Sequence, residues 1–335
     1  MKILKLFLML IILTACLCAE TVVLPDIMKP QRMYAAGEQL FITEGATIYI
    51  YSLKDYKLQK KFGRRGEGPG EFKESGEGLI LNIKPSHFIV ISSGRLTYFT
   101  RAGEYIKQVT LKNPRSFEFK AIGNRFVGTS ITRNKDGVFL TVNFFDEAFK
   151  KGEEIYRFKH PFYDRPKPVN AVNLRVRSYY VHRDKIFIDD EKGAVNVLDD
   201  SGKKLYAIQP AYEKIKVTGL HKKRYMEIWK TNLKAEYEAF KNRLKFPSYF
   251  PYIRNFHIVD AKVYIITYKE KEGESELLVY DTTGKFLKRT FASLVETDMI
   301  LPHVYNYYTI SNGKIYILKD DEESEEWRLE IKTLL

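Results

Sequence analysis

The sequence predicts an all-β protein folded as a six-bladed β-propeller, with one helical insertion between blades four and five. Three observations predict this fold. The composition is rich in aromatic residues that favour strands, with 23 Tyr and 22 Phe among 335 residues. Six segments of similar organisation follow one another along the chain. Their apolar runs have the length of strands rather than of helices.

Each of the six segments contains a strand, a polar turn and a second strand, and several contain a third. They cover residues 39–63, 87–112, 125–159, 185–209, 262–292 and 314–335. Turn residues separate the strands, as at Asp200-Ser201-Gly202 and Thr283-Gly284. One such unit cannot bury its own face, whereas six units arranged radially bury each face on a neighbour. Six blades of about 45–50 residues account for the chain.

The two ends of the repeat array predict how the ring closes. The last segment ends after its third strand, so that its outer strand is missing. Residues 20–25 form an isolated strand at the other end of the array, and Pro25 suits a strand end. Pairing of the two would complete the last blade and remove an exposed edge.

A glycine-rich segment lies between the first two repeats. Phe62-Gly63 is followed by Gly66, Gly68-Pro69-Gly70 and Glu71-Phe72. No helix opening with Lys-Ser or Lys-Thr follows, so the pattern does not predict a phosphate site. We interpret it as a structural loop in which glycine allows unusual φ angles, Pro69 stiffens the turn and Phe72 fills the space between blades.

This segment resembles the blade-linking loop of NHL-type propellers, and in particular that of bacterial six-bladed β-propeller lipoproteins. The Pro-aromatic segment 246–251 is similar to the link into the fifth blade of that group. The group is known as a fold without an assigned general activity. The resemblance therefore implies the architecture and an exported lipoprotein, but no reaction. Some NHL propellers bind RNA through a basic face.

The amino-terminal residues predict an export signal. Lys2 and Lys5 precede an apolar run, residues 6–13, that is too short to cross a bilayer. The run leads into Leu13-Thr14-Ala15-Cys16, which resembles a bacterial lipobox. We expect a signal peptide at 1–15, a single domain at 16–335, and acylation of Cys16 that anchors the protein to a membrane of the bacterial cell envelope, facing the periplasm or the surface. Cleavage after Ala19, which would release a soluble protein, is the alternative.

One segment, about 218–246, predicts helix. Thr218 suits an N-cap, Tyr225, Trp229 and Leu233 recur at helical spacing, and Asn232 could divide the segment into two helices. Links between blades emerge on the top face of a propeller, so we expect the helix there. Its cations and the aromatic residues that follow predict a face that binds an anionic or peptide partner. The residues of this candidate face are Lys222, Lys223, Arg224, Lys230, Lys234, Lys241, Tyr249, Phe250 and Tyr252.

No catalytic motif is present, and we predict no catalytic residue, no metal ligand and no cofactor. Four histidines, His160, His182, His257 and His303, fall in or near links that could converge on the top face around a metal ion. Their lack of ligand spacing favours four unrelated positions. The acidic group Asp189-Asp190-Glu191 could supply carboxylates for calcium or for general-base chemistry, although its composition favours a turn.

Two classes of function therefore stay open. The first is a membrane-tethered binding or scaffold propeller, whose partner is a protein, a peptide or an anionic glycan. The second is an exported lactonase- or lyase-like enzyme with a metal in the central channel. The scarcity of paired carboxylates on the inner strands favours the first. A net charge of +13 suits anionic lipid headgroups or acidic glycans, and the export signal argues against nucleic-acid binding, including the RNA binding that some NHL propellers show. We expect a monomer.

Overall fold

The computed structural model describes residues 20–68, 70–73, 78–111, 116–160, 168–173, 178–294, 300, 306–321 and 323–334. Cys16, Cys18 and the predicted signal peptide lie outside the described residues. The secondary-structure elements are, in chain order, β1 (Glu20–Val23), β2 (Arg32–Ala36), β3 (Gln39–Glu44), β4 (Thr47–Ser52), β5 (Leu58–Phe62), β6 (Arg64–Arg65), β7 (Glu71–Phe72), β8 (Ile80–Ile83), β9 (His87–Ser92), β10 (Arg95–Thr100), β11 (Tyr105–Thr110), β12 (Ser116–Ile122), β13 (Arg125–Asn134), β14 (Gly137–Phe145), β15 (Lys151–Lys159), β16 (Val169–Asn170), β17 (Tyr179–His182), β18 (Lys185–Asp189), β19 (Val195–Leu198), β20 (Lys204–Ile208), α1 (Gly219–Thr231), α2 (Lys234–Phe240), β21 (Leu244–Lys245), β22 (Asn255–Val259), β23 (Lys262–Lys271), β24 (Glu274–Asp281), β25 (Phe286–Ala292), β26 (Tyr308–Ser311), β27 (Lys314–Asp321) and β28 (Glu326–Thr333).

In the described part of the chain, six four-stranded antiparallel sheets form the six blades. Blades 1 to 5 are β2–β5, β8–β11, β12–β15, β17–β20 and β22–β25, and blade 6 is β26–β28 with β1. The first strand of each blade contacts the first strand of the next, and β26 contacts β2, so that the inner strands form a closed ring. The predicted six-bladed propeller is confirmed. We call the end of the channel at which the inner strands begin the upper face.

The amino-terminal strand closes the ring. β1 pairs antiparallel with β28, from Glu20 opposite Ile331 to Val23 opposite Arg328. The next residue, Leu24, is fully buried, and its backbone N–H donates to the carbonyl of Trp327 over 2.8 Å. The predicted pairing of residues 20–25 with the last segment is confirmed, and blade 6 thereby gains its outer strand.

Burial differs across each blade in a way that explains the sequence repeats. The second and third strands are covered by neighbouring blades on both sides, so β18 and β19 are almost entirely buried. The outer strands β5 and β25 are largely exposed. Each repeated segment therefore begins at the second strand of a blade. The inner strands carry polar side chains toward the channel, and their pattern in the sequence is weaker.

The glycine-rich loop lies between blades 1 and 2, where β6 and β7 pair in parallel. The Glu71 carboxylate accepts hydrogen bonds from the backbone N–H groups of Glu67 (3.0 Å) and Gly68 (2.8 Å) and from Arg64 Nε (2.8 Å). A side chain of the loop itself thus occupies the N–H groups that a phosphate would need. Gly66 has a φ of +157°, and a Cβ there would overlap Glu71.

Phe72 follows that loop and is almost fully buried. It packs in one cluster with Ile48 of blade 1 and with Phe88 and Phe99 of blade 2. The ring therefore fills the junction between the two blades. This position agrees with the structural role that the sequence predicts for the loop. Gly70 adopts a φ of +73°, and Pro69 lies outside the described residues.

Both helices fall in the link between blades 4 and 5, in the segment for which the sequence predicts helix. Thr218 is the N-cap of α1; its hydroxyl accepts from His221 N–H, and Asn232 ends the helix. Trp229 is completely buried and donates from Nε1 to the carbonyl of Ala171 over 2.8 Å. The link between blades 3 and 4 thus packs against the buried side of α1. Among the described residues, no helix is long and apolar enough to cross a membrane.

Candidate functional site

The structure contains two candidate sites, a charged surface on the helices and a cavity on the propeller axis. We call residues 218–252 the helical cap. Because the cap connects an outer strand to an inner strand, it lies at the upper face. Its apolar side packs on Tyr268 near the end of β23, where Phe250 stacks on the Tyr268 ring at 4.6 Å between ring centroids.

Four lysines of α1 and α2 point into solvent and, among the described residues, form no ion pair. They are Lys222, Lys223, Lys230 and Lys234. The remaining cations of the predicted face are engaged. Arg224 pairs with Glu270 of blade 5 at 2.9 Å, and Lys241 pairs with Glu238 at 2.6 Å. The exposed charge of the two helices therefore depends mainly on these four lysines, reduced by Glu227 and Glu236, and Lys245 adds a further exposed cation to the cap.

The three aromatic residues of the predicted face have different positions. Tyr249 and Tyr252 are 42% and 38% exposed, and Leu220 on the same cap is 76% exposed. Phe250, the third aromatic residue of the predicted face, is only 7% exposed and does not belong to the exposed surface. Its ring is buried among Tyr225, Tyr268 and other cap residues because position 250 faces the propeller while positions 249 and 252 face solvent.

A cavity of about 320 Å³ lies on the axis of the propeller. All six inner strands line it, which only a closed ring can achieve. The ionisable side chains that line it are Arg32, Glu118, Lys120 and His257, with several tyrosines whose hydroxyls are normally neutral. With His257 neutral, these side chains carry a net positive charge.

Lys120 lies on the inner strand of blade 3, and its ammonium is enclosed by aromatic rings. Nζ is 4.2 Å from the ring centroid of Tyr180 and 4.7 Å from that of Tyr179, and it donates to the carbonyl of Tyr179. No carboxylate of the described residues lies within ion-pair distance of Nζ. Burial lowers the pKa of Lys120 to about 8, although the charge of Glu118 acts in the opposite direction.

A hydrogen-bonded network joins blades 4, 5 and 6 beside Lys120. The hydroxyl of Tyr180 lies 2.9 Å from His257 Nδ1, and the hydroxyl of Tyr308 lies 2.9 Å from His257 Nε2. Asn255 Nδ2 donates to the same Tyr308 hydroxyl over 2.8 Å. Both nitrogens of the imidazole are thus held by tyrosines, and the four side chains are fixed relative to one another.

A β-bulge positions Lys120. The pairing of β12 with β13 shifts between Phe117 and Lys120, and Glu118 in the bulge has a φ of +58°. Gly128 lies opposite the bulge, where an added Cβ would come within 2.8 Å of Phe119 and Phe145. Sequence reasoning named His257 but missed Lys120, Tyr180 and Tyr308, because each inner strand contributes only one or two of these polar side chains. The one local signal was the glycine inside a strand, which marks a bulge.

The described histidines do not converge. His257 lines the cavity, His182 ends an inner strand at the opposite face, and His160 is buried beyond the end of β15, where burial lowers its pKa to about 4. His303 lies outside the described residues. Across the described part of the chain, no group of three or more His, Cys, Asp and Glu side chains could hold a metal ion.

The acidic group at the end of β18 forms a turn. The carboxylate of Asp190 accepts from the backbone N–H groups of Lys192 and Ala194 at 2.9 and 3.0 Å. The cavity therefore offers one carboxylate, Glu118, and one imidazole alongside two cations. These side chains do not fit the calcium or zinc site that a lactonase-like propeller would need.

No protein-family model matches this chain, and no curated protein matches its sequence. Two similar solved structures are those of BamB from Moraxella catarrhalis and of BBS1N in complex with ARL6DN. The first aligns with a TM-score of 0.36 at 9% identity, over 91% of this chain and 83% of that chain. The second aligns with a TM-score of 0.37 at 12% identity, over 89% and 74%. The fold assignment rests on the sheet order of this chain itself.

Proposed function

We propose that this protein is an exported, lipid-anchored binding propeller that captures an acidic segment of a protein partner through the helical cap. The observation that carries the proposal is the set of four exposed lysines on the cap, which form no ion pair with any described residue. The cap is an addition to the propeller: removal of the four lysines would leave the blades and their closure unchanged. Their exposure therefore suits recognition better than stability.

The neighbouring apolar groups support a protein partner. Tyr249, Tyr252 and Leu220 are exposed on the same cap. Aromatic side chains supply the anchors of many protein interfaces, whereas lysines steer an acidic partner and raise its association rate. Lys214 Nζ lies 4.5 Å from the centroid of the Tyr249 ring, which adds a further cation beside this anchor.

A charge-reversal variant tests the cap. Lys223, Lys230 and Lys234 are changed together to Glu, and the matched control changes three exposed lysines of blade 1, Lys54, Lys57 and Lys60. Each protein is applied to an array of synthetic peptides that differ in net charge and aromatic content. We expect the wild type and the control to retain acidic peptides with an aromatic residue, and the cap variant to lose them.

Retention of the same acidic peptides by the cap variant would refute the proposal. So would a wild type that binds an anionic polysaccharide such as polygalacturonate and none of the peptides. Because exposed substitutions typically change stability by about 0.5 kcal/mol or less, both variants should unfold at the wild-type urea midpoint.

The lipid anchor is tested separately. Radiolabelled palmitate should enter the wild type expressed in a bacterial host, and it should not enter Cys16→Ser. A mature amino terminus at Glu20 would instead show ordinary cleavage, and the proposed membrane tether would be wrong.

A further inference from the structure

The axial cavity combines three properties that are separate from the helical cap. It is small, it is lined by all six blades, and its charged side chains are mainly cationic. A volume of about 320 Å³ lies at the lower end of the range for small-molecule sites, roughly 300–1,000 Å³. A ligand that fits it is therefore a single small molecule rather than a peptide.

The positive charges of the cavity favour a ligand that carries an anionic group. Arg32 is only 8% exposed, and the ammonium of Lys120 lies against two tyrosine rings. Within the described residues, Lys120 has no carboxylate at ion-pair distance. Burying an unpaired charge is costly, so an entering carboxylate would offset part of the cost of burying this ammonium. Glu118 also lines the cavity, and it disfavours ligands with several negative charges.

The remaining lining side chains indicate hydroxyl groups on the ligand. The Asn255 amide and the hydroxyls of Tyr180 and Tyr308 lie in a network whose geometry His257 fixes. Fixed donors and acceptors of this kind favour a ligand that can replace several water molecules by direct hydrogen bonds. The tyrosine rings offer flat apolar surfaces on which the face of a sugar ring can stack.

We propose that the axial cavity binds a small hydroxylated carboxylate of the size of a hexuronic acid, with its carboxylate at Lys120. Arg32 contributes a second positive charge at the same cavity, and Asn255, Tyr180 and Tyr308 contact the hydroxyl groups. This site is independent of the cap, so that binding here and capture of a partner there can succeed or fail separately.

The test measures binding of D-glucuronate by isothermal titration calorimetry to the full chain. D-glucose is the neutral counterpart and benzoate is the carboxylate without hydroxyls. We expect the wild type to bind glucuronate, and to bind glucose and benzoate at least tenfold more weakly. Lys120→Met should weaken glucuronate binding by roughly tenfold or more, because a charge-assisted hydrogen bond is lost. Lys54→Met, at an exposed lysine of blade 1 that belongs to neither site, should bind as the wild type does.

Several results would overturn the proposal. Equal affinity for glucose would show that the carboxylate is not recognised, and equal or tighter binding of benzoate would show that the hydroxyls are not. Unchanged glucuronate binding by Lys120→Met, with a far-ultraviolet circular dichroism spectrum like the wild type, would remove Lys120 from the site. Absence of any glucuronate binding up to roughly 10 mM would exclude even a weak specific site.

Discussion

Lys120→Met should make the protein more stable at neutral pH, although it removes a contact. Burial lowers the pKa of Lys120 from its ordinary 10.5 to about 8. Each pH unit of such a difference corresponds to about 1.4 kcal/mol. Keeping the ammonium charged therefore costs the folded state about 3 kcal/mol below pH 8. Methionine fills a similar volume without the charge, and so avoids this cost.

Two interactions reduce the expected gain. The ammonium lies over the rings of Tyr179 and Tyr180, and each cation–π contact contributes about 0.5–1 kcal/mol. The carbonyl of Tyr179 also loses its donor. We therefore expect Lys120→Met to raise the free energy of unfolding by about 1–2 kcal/mol at pH 7.

The pH dependence of the unfolding free energy separates the effect of removing the buried charge from the effect of repacking the side chain. Between pH 8 and 10.5 the unfolded chain holds a proton that folded Lys120 has lost, so the unfolding free energy of the wild type rises with pH in that window. Lys120→Met lacks this rise, so its advantage over the wild type should fall by about 2 kcal/mol from pH 7 to pH 9.5, which removes most or all of it. The charges that act on Lys120 are those of Glu118 and Lys84, and Arg32 and His257 line the same cavity.

The measurement is urea unfolding at pH 7 and pH 9.5, followed by the fluorescence of Trp229 and Trp327. Lys222→Met is the matched control, since Lys222 is exposed and its removal should change stability by less than about 0.5 kcal/mol at both pH values. The reasoning is refuted if Lys120→Met is less stable than the wild type at pH 7. It is equally refuted if the difference between the two is the same at both pH values.

Three further substitutions test the packing that supports the two sites. Phe72→Ala should lower the free energy of unfolding by about 3–5 kcal/mol in urea titrations, because the ring fills the junction of blades 1 and 2; a loss similar to that of the exposed Phe286→Ala would contradict this role. Leu24→Ala should cost about 2–5 kcal/mol and make unfolding less cooperative, and an unchanged transition would show that β1 does not close the ring. Gly128→Ala should displace Phe119 or Phe145 and weaken glucuronate binding, whereas wild-type affinity would show that the bulge does not position Lys120.

The blades and their closure could be predicted because a strand that is buried on both faces has a continuous apolar run in the sequence. Strands such as β18 and β19 are covered on both sides, and their sequences are nearly continuous apolar runs. The isolated strand at residues 20–25 had one available partner, the incomplete last blade, and β1 pairs there.

The helical cap could be predicted in outline but not residue by residue. The spacing of Tyr225, Trp229 and Leu233 indicated the buried side of the helices, and all three are buried. No periodicity extends past Pro247, so no pattern in the sequence separates the exposed Tyr249 from the buried Phe250. The pairing of Arg224 with Glu270 depends on contact with blade 5, forty-six positions later, and leaves no local pattern.

The axial cavity could not be predicted, for a reason that lies in the architecture. Lys120, Tyr180, His257 and Tyr308 lie on four different blades, and closure of the ring alone brings them together. In a propeller, a site on the axis has no sequence motif, because each inner strand supplies one or two polar side chains and the strands are far apart in the chain. Such a site leaves only a local trace in one blade: Lys120 follows Phe119, lies two positions after the bulge residue Glu118, and pairs with Val127 beside Gly128. Bulges redirect side chains next to functional sites, and a bulge in an inner strand redirects them toward the axis. Gly128 and Glu118 therefore matter to the cavity through the position that they impose on Lys120.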